Sequence, residues 1–153
     1  MTKTFTVLGE PKGKQRPKFT TIAGHPRAIT PQQTVNYENL VKLEYQAQCE
    51  NAYFPDKQPV FVLIDCYMSA PQSSSRKKLR AMLEEVLRPL KKPDFDNVGK
   101  VICDSLNGIA YRDDSQIVDG RVRKFFSDRP RVVVTISDQE IEAYKINQGG
   151  TAT

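Results

Sequence analysis

The chain has 153 residues and a formal net charge of +5, with 23 Lys and Arg against 18 Asp and Glu. Its length suits one domain with a real core, and 39% hydrophobic with 27% charged residues is ordinary for a soluble globular protein. No apolar run is long enough to span a bilayer, the N-terminus lacks the apolar core of a signal peptide, and a single histidine argues against a His-rich zinc site.

The scattered cysteines Cys49, Cys66 and Cys103 read as reduced core residues, which fits a cytoplasmic protein. Residues 3–9 alternate, with Phe5 and Val7 on one side, and predict a short strand. Residues 10–27 carry Lys12, Lys14, Arg16, Lys18 and Arg27 against one acid. Pro11, Pro17 and Pro26 argue against a helix there, so a long basic loop or irregular hairpin is expected. Such a segment is either a solvated loop or a phosphate-contacting surface, and one this long is more often functional than idle. Thr30-Pro31-Gln32-Gln33 predicts a helix start, with Thr30 as cap, Pro31 at the first helical position and Gln33 reaching back. Tyr37, Leu40, Val41 and Tyr45 then give a helix over residues 31–49 one core-facing stripe. Residues 59–68, almost wholly apolar and rich in β-branched side chains, predict a central strand.

Ser73, Ser74 and Ser75 offer caps to a further helix that begins with Arg76, Lys77, Lys78 and Arg80. Leu79, Met82, Leu83, Val86, Leu87 and Leu90 recur at helical spacing, so a strongly amphipathic helix is expected to run until Pro89 or Pro93. Its basic start suits a phosphate or is simply a solvated face. Residues 116–124 and 131–138 predict two strands joined by a turn at 127–130. The expectation is one α+β domain, residues 1–146, with a mixed sheet of about four strands and about three helices, followed by a disordered tail at 147–153.

Residues 91–120 concentrate acid within this basic chain: Asp94, Asp96, Asp104, Asp113, Asp114 and Asp119. A helix beginning at Asp94 or Asp96 and stopping at Asn107-Gly108 turns Val98, Val101, Ile102 and Leu106 to the core. Asp96, Lys100, Asp104 and Asn107 then share the opposite face. A short connector delivers Asp113 and Asp114, and one that doubles back sets them beside Asp94 and Asp96. Crowded carboxylates repel unless a cation neutralises them, and Mg²⁺ or Mn²⁺ suits an all-oxygen set. Lys100 is placed to stabilise phosphate charge or orient a water. Singly, Asp94 and Asp96 read as helix caps and Asp113-Asp114 as a turn; together with Lys100 and the basic flanks they read as a metal site. An EF-hand is excluded, because the loop glycine and closing glutamate are missing.

Residues 92–100 (KPDFDNVGK), 104–108 (DSLNG) and 113–117 (DDSQI) closely resemble the signature of the RusA-type Holliday junction resolvases. The opening strand and basic loop, and Pro71 with residues 73–78, resemble the same family, so the likeness spans most of residues 3–136. The resemblance implies metal-binding acids at Asp94, Asp96 and Asp114, a catalytic lysine at Lys100, Asp113 as a further acid and Asp104 in support. It also implies a homodimer that uses Mg²⁺ or Mn²⁺ to nick opposed strands of a four-way DNA junction, leaving 5′-phosphate and 3′-hydroxyl ends. Lys12, Lys14, Arg16, Lys18, Arg27, Arg76, Lys77 and Lys78 are the expected DNA contacts, in a bacterial, prophage or phage protein. Three alternatives stay open: a binding protein without catalysis, a nuclease for another branched, single-stranded or RNA substrate, and a small-molecule phosphatase.

Overall fold

Alternating Phe5 and Val7 define β1 (Thr2–Leu8) in the computed structural model, which describes residues 1–142. The expected tail at 147–153 lies outside the described residues. A basic strap, residues 9–17, leads into a ribbon of β2 (Lys18–Ile22) and β3 (His25–Ile29). Its two turn residues, Ala23 and Gly24, both have positive φ, 52° and 78°, as a two-residue type I′ hairpin requires. Then follow α1 (Gln32–Gln48), β4 (Val60–Ser69), α2 (Arg76–Leu83), α3 (Phe95–Ser105), a 3₁₀ turn (Asp114–Gln116), β5 (Ile117–Ser127) and β6 (Arg131–Ser137).

Four strands form one mixed sheet in the order β1-β6-β4-β5, antiparallel except between β4 and β5. A parallel pair needs a crossover connection, and α2 and α3 provide it. The result is the expected single-domain α+β fold. Register then selects the core. Val62, Ile64 and Cys66 of β4 lie level with Ile136, Val134 and Val132 of β6, and Phe5 and Val7 of β1 continue the same face. That face buries Tyr37, Val41 and Tyr45 of α1 and Val98, Val101 and Ile102 of α3.

Two helices depart from expectation. α1 starts with Pro31 as its N-cap, and no side chain caps it. Tertiary contacts claim the local polar groups instead: the Gln15 backbone N–H donates to Thr34 Oγ1 at 3.2 Å, and its side-chain amide to Gln33 Oε1 at 3.1 Å. α2 stops at Leu83 although its apolar periodicity continues to Leu90, and Glu85 sits at φ 65°. The left-handed Glu85 closes the helix: its N–H donates to the Met82 carbonyl at 3.2 Å and the Val86 N–H to the Ala81 carbonyl at 2.9 Å, and Pro89 then bars the helix from resuming. Beyond the break the chain is tied to the sheet, where Arg88 Nε donates to the Lys124 carbonyl at 2.5 Å. Leu79, Leu83, Val86, Leu87 and Leu90 are all left exposed.

Candidate active site

Helix α3 carries most of the site. Asp94 holds the N-cap position with an extended backbone, yet its carboxylate makes no capping hydrogen bond, and Asp96 lies in the first turn. An aspartate at this position ordinarily satisfies backbone N–H groups; here the capping carboxylate is left directed elsewhere. Burial of Val98, Val101, Ile102 and Ser105 turns Asp96, Lys100 and Asp104 onto the outer face at four-residue spacing. Asp96 and Asp104 are therefore two turns, about 12 Å, apart along the axis. Gly99 lets α3 lie close on the sheet: a Cβ there would sit 3.3 Å from Val122 Cγ2 of β5.

The turn after α3 separates the two adjacent aspartates. Gly108, at φ 73°, donates its N–H to the Tyr111 carbonyl at 2.7 Å, and the fully buried Tyr111 donates its hydroxyl to the Cys103 carbonyl at 2.7 Å. Asp113 caps the 3₁₀ turn: it accepts the Ser115 N–H at 3.1 Å, while Gln116 Oε1 accepts the Asp113 N–H at 3.4 Å. Those hydrogen bonds with Ser115 hold the Asp113 carboxyl below its ordinary range. Asp114 faces the other way. Partial burial, then its hydrogen bond with Asp104 and the charges of Asp104 and Asp113, push its carboxyl above the usual value. The connector therefore brings Asp114 near Asp104, and does not set Asp113 and Asp114 beside Asp94 and Asp96 as expected, because α3 holds Asp96 and Asp104 two turns apart. Among the described residues, no group of three or more His, Cys, Asp or Glu side chains is gathered tightly enough to hold a metal ion by itself.

The strap completes the surroundings. Lys14 Nζ lies 2.6 Å from Asp104 Oδ2 and 3.8 Å from Glu38 Oε1. The Asp104 hydrogen bond raises the Lys14 pKa, against the opposing effect of burial. The Lys14 backbone N–H donates to the Asn97 carbonyl at 3.1 Å, which docks the strap on the start of α3. Gly13 permits that approach, since a Cβ there would lie 3.0 Å from Asn97 Cβ and 3.1 Å from Pro93 Cβ. Lys12, Lys14, Arg16 and Lys92 line a cavity of about 670 Å³ shared with Asp94. Lys18 and Arg27 continue onto the ribbon. Arg76, Lys77 and Lys78 occupy the exposed first turn of α2, which packs against β5 and is capped by Ser75 accepting the Lys78 N–H at 3.3 Å.

Sequence reasoning passed over Glu38 and Lys92 as site residues, and the pairing of Lys14 with Asp104. Lys92 was visible as the first residue of the 92–100 motif. Glu38 gave only helical spacing from Thr34, and nothing in the sequence linked either to the strap.

The donors present fit a hard divalent cation. Two carboxylates that raise each other's cost of ionising retain a proton or need a positive charge, and Lys14, 2.6 Å from Asp104, compensates only part of it. Mg²⁺ commonly takes one or two carboxylates and fills its remaining positions with waters and substrate phosphate oxygens, so a pair such as Asp104–Asp114 is a sufficient anchor.

A family model described as Endodeoxyribonuclease RusA matches residues 9–137. The uncharacterized protein YqaN of Bacillus subtilis (strain 168) is 35% identical over 139 residues, covering 88% of this chain and 94% of that protein. Because the matched span takes in the strap, the acidic helix and the turn that brings Asp114 to Asp104, the chain belongs to the RusA endodeoxyribonuclease family.

Proposed function

We propose that this protein is a Mg²⁺- or Mn²⁺-dependent endodeoxyribonuclease that acts as a cytoplasmic homodimer and nicks opposed strands of four-way DNA junctions. The observation that carries the reading is the outer face of α3. Acid, base and acid follow at Asp96, Lys100 and Asp104, with a second carboxylate, Asp114, at one end and a cationic groove around Asp94 at the other. Asp114 with Asp104 at one end of α3, and Asp94 with Asp96 about two turns away at the other, are the oxygen donors offered to divalent cations, as two separate groups. A divalent ion bound there supplies charge compensation for phosphoryl oxygens and a water of lowered pKa.

The chain's own residues do the rest. Lys100 presents an exposed ammonium between Asp96 and Asp104, where it stabilises charge that builds on the scissile phosphate. Lys12 and Arg16 meet neighbouring phosphates along the groove, and Lys14 keeps Asp104 turned toward Asp114. Asp113 serves the turn through its capping bonds. The products carry 5′-phosphate and 3′-hydroxyl ends. A four-way junction has approximate two-fold symmetry, so two identical sites on a C₂ dimer match a paired cut. A protein that only bound DNA would gain nothing from Asp94 and Asp96 exposed among phosphates.

The test incubates the protein and an Asp96→Asn variant with Mg²⁺ or Mn²⁺ and a mobile four-way junction, a flap, a linear duplex and RNA. Symmetric paired nicks in the junction alone, lost with the variant or with EDTA, are expected. Junction binding without cleavage by the native protein would overturn the enzymatic reading, and preferential cutting of another substrate would overturn the junction.

A further inference from the structure

The β2–β3 ribbon is the part of the chain that the site leaves unexplained. All ten strand residues are exposed, and the two strands pair only with each other. A lone two-stranded ribbon is marginal in water, so one without a covering layer is suited to a partner. Its register sorts the side chains. Phe19 pairs with Ala28 and Thr21 with Pro26 on one face; Lys18 pairs with Ile29, Thr20 with Arg27 and Ile22 with His25 on the other. Phe19 therefore stands over small neighbours, 80% exposed, as a ring with both sides open.

Charge identifies the occupant. Residues 10–29 contain Lys12, Lys14, Arg16, Lys18 and Arg27 against Glu10 alone, a surface for a polyanion rather than for a second copy of this basic chain. Position supports the same partner. Arg16 lines the groove that holds Asp94, and Pro17 leads directly into β2. DNA bound in that groove continues onto the ribbon.

We propose that the ribbon is a second DNA-binding element whose Phe19 ring stacks on a base left open at a branch point, while Lys18 and Arg27 on its other face meet phosphates. This rests on the junction reading above and adds how branched DNA is told from duplex. Duplex bases are already stacked on both sides, so an aromatic platform gains only where pairing is interrupted. Stacking of one base on one ring contributes about 1–3 kcal/mol, a preference of roughly five- to 150-fold.

The experiment places 2-aminopurine at the branch point and at the same position in a matched duplex and a single strand. Fluorescence and affinity are then read as salt is varied, in an Asp96→Asn background that blocks cleavage. Phe19→Ala is expected to weaken junction and single-strand binding at least fivefold, leave duplex binding unchanged, abolish the branch-point fluorescence change and preserve the salt slope. Phe19→Trp restores all of these. Lys18→Ala with Arg27→Ala lowers the log–log salt slope by about 2 for every substrate. Native junction affinity and signal in Phe19→Ala would overturn the assignment. So would a lower melting temperature or a lost oligomer in that variant, since the ring would then belong to a protein contact. If the Asp96→Asn protein itself bound junction and duplex alike, the junction reading would fall first. The ribbon would then be judged on the single strand alone, where an unaffected Phe19→Ala overturns it as well.

Discussion

Replacing Lys14 with methionine removes the ammonium from the acidic pair while keeping the stem that lies along the strap. The Lys14–Asp104 contact is 2.6 Å with side chains 24% and 22% exposed, neither fully wet nor fully buried. Exposed pairs give under about 1 kcal/mol and hydrogen bonds to charged groups about 1.5–3 kcal/mol, so the direct loss is about 1.5 kcal/mol. Lys14→Met also leaves Asp104 and Asp114 facing each other without a cation, which brings the total to about 2 kcal/mol. Asp104→Asn should be milder, about 1 kcal/mol, because it relieves Asp114 and leaves Lys14 near Glu38. Urea unfolding in metal-free buffer at neutral pH, for both variants and their combination, is expected to give a coupling of about 1–1.5 kcal/mol.

The pH dependence has a definite sign. The folded pKa of Asp114 is raised, so the stabilisation tied to its protonated form is complete below the ordinary carboxyl value and is lost as pH climbs through the raised one. The Lys14→Met deficit should therefore shrink when the measurement is repeated near pH 4. A deficit below about 0.5 kcal/mol at neutral pH with no coupling would refute the view that Lys14 compensates this pair.

Asp94→Asn and Asp96→Asn should each abolish nicking yet leave the melting temperature within a degree or so, since the Asp94 carboxylate makes no cap bond and dipole effects there are a few tenths of a kcal/mol; a large loss of stability would assign them a structural role. Tyr111→Phe removes the buried donor to the Cys103 carbonyl and should cost about 1–2 kcal/mol in urea unfolding. Gly99→Val overpacks the contact with Val122 and should cost about 1–3 kcal/mol. By lifting α3 from β5 it should also slow junction nicking at saturating metal, and an unchanged rate and stability would show that the helix–sheet approach is slack.

Local pattern carries far in this chain. Alternation in residues 3–9, the apolar run at 59–68 and the 3.6-residue spacing of Val98, Val101 and Ile102 each announced an element that formed, because burial of one face dominates the choice of local structure. The same spacing placed Asp96, Lys100 and Asp104 on one outer strip, and the 92–117 motif pointed to the family. Periodicity failed for α2, which a left-handed Glu85 closes at Leu83, six residues before Pro89, with its apolar spacing still running on. Contacts between distant segments were decided only in the folded chain. Asp113 and Asp114 are neighbours in sequence, yet the 3₁₀ turn makes one a cap and aims the other at Asp104. Lys14 reaches Asp104 across 90 positions because Gly13 lets the strap lie on α3. A sequence shows which residues share a helix face, since that follows from a fixed rise and rotation. Which carboxylate meets which across a turn or strap depends on close packing between elements, and that exists only once the sheet has brought them together.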